Sequence, residues 1–308
     1  MALLYKADPQ RGAEWQVMMA RKAPDLPFYV WPDTGRATAV RYLAVWEPPD
    51  AMISRFPNAE IVFSVGAGVD QFDLSALPAH IPLVRMIEPG IAHSMVEYVL
   101  MAVLALHRDL PAYIKDKSLR QWNQIRVLPA SKRRVGVMGL GRLGEAVCRT
   151  LLDFGFPVSG WSRSARALEH VICYQGEASL PAFLSGCDLL ICLLPLTPET
   201  SGILNAGLFA HLPAGAGLIN VARGKHLVQQ DLLKALETGQ ISAAVLDVTD
   251  PEPLPPDHPF WSHPQIMLTP HIASMTRPET AVDFVLETIR RHHAGLPLEG
   301  LVDRQRGY

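Results

Sequence analysis

A short glycine-rich segment in the middle of the chain constrains the possible fold more than any other feature. The sequence VGVMGLGRLGEAV places Gly139, Gly141 and Gly144 in the spacing GxGxxG, with a strand-like run before them and a helix-like run after them. In such a unit the first glycine permits a tight turn, the second lets the backbone approach a pyrophosphate, and the third lets the helix pack closely on the strand. The segment therefore predicts a Rossmann-type βαβ unit whose helix begins at an anion-binding N-terminus.

The rest of the chain also alternates strand-like and helix-like segments. Short apolar runs such as DLLICLLP, GLINVA and AAVLDV follow the glycine turn, and helical stretches separate them. Runs of this kind are typical of parallel strands that are covered on both faces. About 130 residues of similar alternation precede the turn, and a helical stretch follows the last strand. We therefore expect two doubly wound α/β domains with parallel sheets. They are a flavodoxin-like substrate domain (1–98 plus 277–308) and a Rossmann-type dinucleotide-binding domain (99–276).

Composition and charge exclude several classes of function. The formal net charge of −2 over 308 residues offers no basic surplus to neutralise phosphates, which argues against a nucleic-acid partner. The longest apolar run, YVLMAVLAL at 98–106, is far shorter than a membrane span, and the N-terminus lacks a signal-peptide pattern. We therefore expect a cytoplasmic protein without a membrane partner. The four cysteines show no CxxC spacing, which predicts small buried groups and no metal site.

The segment WSRSARA lacks the acid that an NAD-binding protein usually places after its second strand. Ser162 follows Gly144 by 18 residues, where a carboxylate would bind the adenosine ribose, and Arg163, Ser164 and Arg166 come next. Hydroxyl and guanidinium groups favour a 2′-phosphate through charge-assisted hydrogen bonds. The segment predicts a preference for NADP, and the alternative is a solvated basic loop without a ligand.

Polar side chains also follow three later strands. Arg223 comes after GLINVA, Asp247 and Glu252 end or follow AAVLDV, and His271 follows IML. Each has an ordinary explanation when taken alone, because Arg223 suits a surface, Glu252 suits a loop and His271 is one of 11 histidines. The carboxyl ends of parallel strands lie at the same edge of a sheet, which is where nucleotides bind. Their shared position makes these four residues candidates for the active site.

Several segments together resemble the signatures of the D-isomer-specific 2-hydroxyacid dehydrogenase family. GLGRLG, LLPLTPETSGILN, LINVARG, LDVTDPEPLP and TPHIAS occur in the family's order, and SVGAGVD in the first half is similar to its substrate loop. VWEPP, WSRS, MTRPET and the terminal VDRQRGY resemble the glyoxylate/hydroxypyruvate reductase A branch of that family. The resemblance therefore extends over nearly the whole chain.

The resemblance implies a catalytic set of Arg223, Glu252 and His271. Reduction of a 2-oxo acid needs a hydride for the carbonyl carbon and a proton for the oxygen. A protonated histidine can supply that proton, and a nearby carboxylate favours the imidazolium and orients the ring. An arginine can bind the substrate carboxylate with its planar fork. The resemblance also implies that Asp247 holds the nicotinamide carboxamide, and a loop cap is the alternative for this residue.

The remaining predicted ligand contacts lie at turns and strand ends. The predicted cofactor-binding residues are Gly139, Gly141, Arg142, Leu143, Gly144, Ser162, Arg163, Ser164, Arg166, Leu194, Pro195, Val221, Ala222, Asp247 and His271. The predicted substrate-binding residues are Trp46, Ala67, Gly68 and Arg223. The glycines around Ala67 would let backbone N–H groups face a carboxylate, although a simple strand-to-loop turn is the alternative. The Trp46 side chain is predicted either to cover a small substrate or to lie in the hydrophobic core.

The function implied is NADPH-dependent reduction of short 2-oxo acids, glyoxylate to glycolate and hydroxypyruvate to glycerate. One alternative is an NAD-linked dehydrogenase of another hydroxy acid such as phosphoglycerate, which would favour an acid at position 162. Another is a dinucleotide-sensing, corepressor-like binding protein on the same fold, which can retain the Arg–Glu–His set but binds NAD(H). The resemblance also implies a homodimer.

Overall fold

The computed structural model describes residues 1–307, and Tyr308, the last residue of the predicted substrate domain and of the VDRQRGY segment, lies outside them. The chain divides into two compact units. The first consists of Met1–His93 and the segment from Met275 onward, and the second is Ser94–Ser274. The limits inferred from the sequence, 98 and 276, differ from these by a few residues.

The strands and helices alternate along both units. The strands are β1 (Ala2–Lys6), β2 (Phe28–Val30), β3 (Val40–Val45), β4 (Ile61–Ser64), β5 (Leu83–Arg85), β6 (Val135–Met138), β7 (Val158–Ser162), β8 (Ile172–Gln175), β9 (Leu189–Cys192), β10 (Ala216–Asn220), β11 (Ile241–Leu246) and β12 (Ile266–Leu268). The α-helices are α1 (Pro9–Lys22), α2 (Met52–Arg55), α3 (Pro89–His107), α4 (Leu110–Ser118), α5 (Arg142–Asp153), α6 (Leu180–Leu184), α7 (Ala206–Phe209), α8 (Gln229–Thr238) and α9 (Pro278–His293).

The first unit contains a five-stranded parallel sheet in the order β2-β1-β3-β4-β5. This is the flavodoxin-like order. Asp8 caps the N-terminus of helix α1 by accepting a hydrogen bond from the Arg11 N–H, and the helix buries Trp15 and Met19. Helix α9, at the end of the chain, packs on α1 within the same unit. The first unit is therefore built from two separate parts of the sequence.

The second unit contains a seven-stranded parallel sheet in the order β12-β11-β10-β9-β6-β7-β8. Alternate residues of the central strands enter hydrophobic clusters on opposite faces, as period-two geometry requires: Leu190 joins one cluster, and Leu189 and Ile191 join the other. The chain reverses its direction of strand addition between β6 and β9, which makes the space at their carboxyl ends a topological switch point. The doubly wound α/β prediction is confirmed for both units.

Helix α3 is the longest helix in the described part of the chain. By length and composition alone it could cross a membrane, and no other described helix meets that test. Half of its apolar window is buried in the structure, and Val99, Val103 and Leu106 lie in a hydrophobic cluster with residues of the second sheet. The helix begins at Pro89 and ends at His107, so it extends well beyond the apolar run at 98–106 on its N-terminal side.

Cys148, Cys187 and Cys192 are buried, as predicted, and Cys173 is half-buried. Burial raises the pKa of the Cys148, Cys187 and Cys192 thiols to about 12. In the described residues, no group of three or more histidine, cysteine or acidic side chains is arranged to hold a metal ion.

Candidate active site

The glycine turn joins β6 to α5 at the switch point of the second sheet. Gly139 has a φ of +102°, a backbone conformation that side chains rarely adopt, and Gly144 is so close to the turn that a Cβ would lie 1.9 Å from the Gly139 oxygen. At Gly141 a Cβ would have nothing within 4 Å. The first and third glycines therefore serve the turn and the packing, and the second leaves open space beside the N-terminus of α5. An approaching pyrophosphate needs this kind of cradle.

The segment after β7 places its basic residues on the surface. The Ser162 side chain is buried and donates a hydrogen bond to the Ser164 oxygen at 2.7 Å, whereas Arg163, Ser164 and Arg166 are exposed. A hydrogen bond from Thr197 is the main cause of the lowered pKa of Glu199, and the charge of Arg163 adds to it. Arg163 directly follows the carboxyl end of β7, and β7 pairs with β6, the strand that leads into the glycine turn.

His271 and Glu252 form a hydrogen-bonded pair. The Nδ1 atom of His271 lies 2.8 Å from Oε2 of Glu252, and the other carboxylate oxygen accepts a hydrogen bond from the Thr249 N–H at 3.0 Å. Burial alone would raise the pKa of Glu252, but the bonds from His271 and Thr249 and the charges of His271 and Arg223 outweigh it, so the pKa is lowered. The carboxylate is thus kept charged beside the imidazole.

Asp247 holds the loop that carries His271. Its carboxylate is buried and accepts hydrogen bonds from the Thr269 hydroxyl at 2.7 Å and from the Ile272 and Ala273 N–H groups at 2.8 Å. The His271 N–H donates to the Asp247 backbone oxygen at 2.8 Å. Burial raises the pKa of Asp247 in spite of these bonds. The structure therefore shows Asp247 in a loop-cap arrangement, and its contact with the nicotinamide carboxamide stays a prediction.

Arg223 follows β10 on a backbone that is held from both sides. Asn220 donates to the Arg223 oxygen at 3.0 Å and accepts from the Ala222 N–H at 3.2 Å. A Cβ on Gly224 would lie 1.9 Å from the Thr249 oxygen, so this loop packs directly on the loop that carries Glu252. The charge of Arg223 contributes to the lowered pKa of Glu252. The structure thus brings Arg223, Glu252 and His271 together, as the strand-end argument predicted.

One histidine of this region was not predicted from the sequence. His226 is fully buried, and its ring nitrogens lie near the Arg223 N–H and the Pro195 oxygen. Its only sequence signal was its position three residues after Arg223, which does not reveal burial. Leu194, Val221 and Ala222, predicted as cofactor contacts, are also buried at strand ends, whereas Arg142 is exposed and Leu143 is half-buried at the start of α5.

The predicted substrate loop lies after β4 in the first unit. Ala67 and Gly68 are half-buried, and the Ser64 hydroxyl donates to the Gly68 oxygen at 2.7 Å. Trp46 is also half-buried, and a Cβ on Gly66 would lie 2.8 Å from its ring. The indole therefore packs over the backbone of the loop and is not a fully buried core residue.

Comparison with known proteins agrees with this geometry. The family model described as D-isomer specific 2-hydroxyacid dehydrogenase, NAD binding domain, matches residues 100–273. The chain belongs to the D-isomer specific 2-hydroxyacid dehydrogenase family. It is therefore an oxidoreductase, and its second unit is the dinucleotide-binding domain.

Individual relatives and solved structures show which members of the family this chain is similar to. The chain is 41% identical over 301 residues to the glyoxylate/hydroxypyruvate reductase A of Yersinia enterocolitica, covering 96% of both proteins. A family member from Xanthobacter autotrophicus Py2 in complex with NADPH and MES matches at a TM-score of 0.94 and 40% identity, covering 100% of this chain and 99% of that one. The structure of the NADPH-dependent glyoxylate/hydroxypyruvate reductase of Sinorhizobium meliloti, in complex with NADP and sulfate, matches at a TM-score of 0.93 and 36% identity. The match covers 100% of this chain and 99% of that one.

Proposed function

We propose that this protein reduces short 2-oxo acids with NADPH, converting glyoxylate to glycolate and hydroxypyruvate to glycerate. The observation that carries the proposal is the His271–Glu252 pair beside Arg223, on the strand-end loops of a dinucleotide-binding sheet. The name of the Yersinia relative and the NADPH-dependent activity named for the Sinorhizobium protein support it.

The residues around the glycine turn fit a bound NADPH. The open space at Gly141 and the N-terminus of α5 suit the pyrophosphate, and Arg163 with Ser162, Ser164 and Arg166 suits the 2′-phosphate. Two structural neighbours at 36–40% identity contain NADPH or NADP, which supports the same preference here. The bound cofactor would supply the hydride to the carbonyl carbon of the substrate.

His271 then has the role of proton donor. As the carbonyl carbon gains the hydride, its oxygen gains negative charge and takes the proton from the imidazolium. Glu252 favours the imidazolium form and keeps the ring in place through Nδ1. Asp247, whose oxygens are used within the loop, acts as a positioning residue for His271.

Arg223 is the proposed anchor for the substrate carboxylate. Its guanidinium can bind a carboxylate through two parallel hydrogen bonds and can polarise the neighbouring carbonyl. In the first unit, the backbone N–H groups of Ala67 and Gly68 are proposed carboxylate ligands, and Trp46 is proposed to limit substrate size.

A panel of 2-oxo acids assayed with NADPH and with NADH tests this function. We expect turnover of glyoxylate and hydroxypyruvate, with NADPH preferred. A preference for phosphorylated oxo acids with NADH would support the alternative dehydrogenase, and tight NADH binding without turnover would support the sensing protein.

The His271→Ala variant tests the assigned chemistry. Loss of a general acid typically lowers kcat by about 10²- to 10⁴-fold, and the NADPH dissociation constant should stay near the wild-type value because the glycine turn is unchanged. His211→Ala, which removes an exposed histidine of the same unit, is the control and should retain full activity. Wild-type kcat/KM in His271→Ala would contradict the proposal.

We also propose that the protein is a homodimer. After α4 the chain runs without regular secondary structure and exposes apolar side chains, and Trp122 is 94% exposed. The apolar residues exposed here are Leu119, Trp122, Ile125, Val127 and Leu128. Several large apolar side chains exposed on one segment are the kind of feature that marks a protein interface.

A further inference from the structure

We infer that His226 is a positioning residue that links the Arg223 loop to the segment at Pro195. The inference rests on the proposed function, because it takes Arg223 as the substrate anchor and Pro195 as part of the cofactor site. His226 itself is fully buried and has no direct path to a ligand. Its effect must therefore act through the groups that its ring contacts.

The imidazole ring spans the two segments. His226 ends a short 3-10 turn, Gly224–His226, directly after Arg223. Its Nδ1 atom lies 3.2 Å from the Arg223 backbone nitrogen, and its Nε2 atom lies 3.3 Å from the Pro195 oxygen. Pro195 follows β9, whereas Arg223 follows the neighbouring strand β10. The ring thus joins two adjacent strand ends on the edge where the cofactor is expected.

The hydrogen-bond pattern selects one form of the ring. With the proton on Nε2, that atom donates to the Pro195 oxygen and Nδ1 accepts from the Arg223 N–H, so both segments are bound. With the proton on Nδ1, the ring could donate at 3.2 Å to the Arg223 oxygen, but that oxygen already accepts from Asn220 and from the His226 N–H. An imidazolium would lose the acceptor for the Arg223 N–H. The neutral Nε2–H form is therefore the one that couples the loops.

The surrounding backbone prevents the ring from moving away. The Leu204 N–H donates to the His226 oxygen and the Gly202 N–H to the Lys225 oxygen, each at 2.8 Å. The Pro195 oxygen also accepts from the Thr200 hydroxyl at 2.7 Å. Gly224 lies against Thr249, whose N–H holds Glu252. A small displacement of His226 would therefore be transmitted to the anchor and to the carboxylate that supports the proton donor.

Two conservative variants separate the two bonds. In His226→Asn the amide oxygen can occupy the position of Nδ1, whereas in His226→Gln the amide nitrogen can occupy the position of Nε2. We expect His226→Asn to keep the KM for glyoxylate within about twofold of wild type and to raise the NADPH dissociation constant about 2- to 10-fold, because one neutral hydrogen bond is lost. We expect His226→Gln to keep NADPH binding and to lower kcat/KM about 5- to 150-fold, because the Arg223 N–H loses its buried acceptor.

The measurements are NADPH fluorescence titration, steady-state kinetics with glyoxylate, and thermal melting. Weaker NADPH binding in His226→Asn alone, together with a lower kcat/KM in His226→Gln alone, would support the inference. Equal losses in every quantity with a lowered melting temperature, or two variants like wild type, would overturn it. The ¹⁵N shifts of the ring in the folded wild type provide an independent test, and a proton on Nδ1 would overturn the inference. An inactive wild type would contradict the proposed function, whereas the titration and the ring tautomer would still test the link to Pro195.

Discussion

The backbone of His271 has a conformation that a non-glycine residue rarely adopts, with a φ of +55°. Such strain costs on the order of 1 kcal/mol and persists where the surroundings hold it in place. Here the buried carboxylate of Asp247 binds the N–H groups of the next two residues, and its backbone oxygen binds the His271 N–H. The orientation of the imidazole toward Glu252 is therefore built into the loop and does not depend on a ligand.

The pH dependence of reduction should report on this pair. The rate should fall at high pH, because the proton-donating form of the His271 imidazole is lost there. The pKa of Glu252 is lowered, so its charge is present throughout the working range and favours the imidazolium. Glu252→Gln should move the alkaline limb to lower pH, measured from kcat/KM profiles between about pH 5 and 9. An unchanged profile would separate Glu252 from proton transfer.

Cofactor selectivity should depend on the residues after β7. Arg163→Ala should weaken NADPH binding about 10- to 150-fold and NADH binding much less, because a charged hydrogen bond contributes about 1.5–3 kcal/mol. Ser162→Asp should weaken NADPH further, since a carboxylate repels the 2′-phosphate and can bind ribose hydroxyls. Arg149→Ala on α5, which also removes an exposed arginine, is the control. Equal loss of both cofactors in titrations of Arg163→Ala would identify an ordinary basic loop.

The three glycines of the β6–turn–α5 unit have different structural roles. Gly139 and Gly144 are required by the backbone, since one has a positive φ and the other lies against the Gly139 oxygen. Gly141 has a φ of −78°, and a Cβ at this position would meet nothing within 4 Å, so the fold alone does not demand a glycine there. The proposed approach of the cofactor pyrophosphate to this backbone would account for a glycine there.

Two alanine variants of this turn should therefore behave differently. Gly144→Ala should lower the melting temperature by about 3–10 °C, because overpacking costs roughly 1–3 kcal/mol and the Gly139 oxygen must move. Gly141→Ala should melt like the wild type and bind NADPH at least about tenfold more weakly, if its Cβ meets the pyrophosphate. Thermal melting and NADPH titration distinguish the two outcomes. A Gly141→Ala variant with full NADPH affinity would place the pyrophosphate elsewhere.

Charge is unevenly distributed along the chain. Residues 108–134 contain eight basic and two acidic side chains, a net charge of +6, so the other residues carry −8 of the total of −2. The exposed apolar side chains that follow α4 lie within this basic segment. In the proposed dimer, the acidic remainder of a second copy would supply charge complementary to this basic segment.

The dimer proposal predicts a mass in solution of twice the 33.9 kDa chain. Trp122→Glu should shift the molecule toward the monomer, because it places a charge where an apolar side chain would be buried between copies. Trp261→Glu is the matched control, since Trp261 is 57% exposed but lies outside this segment. Light scattering after size-exclusion chromatography measures both. A monomeric wild type, or equal dissociation in both variants, would contradict the proposed interface.

The fold class and most of the candidate site could be predicted from the order of the amino acids. Apolar runs that alternate with helical stretches predict parallel sheets because each strand must be apolar on both faces, and the glycine spacing predicts the phosphate turn because it is a local backbone requirement. The amino-acid order was enough to group Arg223, Asp247, Glu252 and His271, because parallel strands end at one edge of their sheet. The short strands β2, β5 and β12 are much harder to predict, because three residues are too few to show the hydrophobic periodicity of a strand.

The binding partners of these side chains became visible only in the folded chain. Asp247 binds Thr269, Ile272 and Ala273, and His226 reaches back to Pro195, so the partners are separated by 22 to 31 residues of sequence. The burial of a side chain was also not visible in the sequence. His226 does not differ there from any other histidine, and Trp46 is compatible with either a core or a surface position. Hydrogen bonds and packing depend on distances between atoms that the folded backbone brings together, and no local pattern in the chain records those distances.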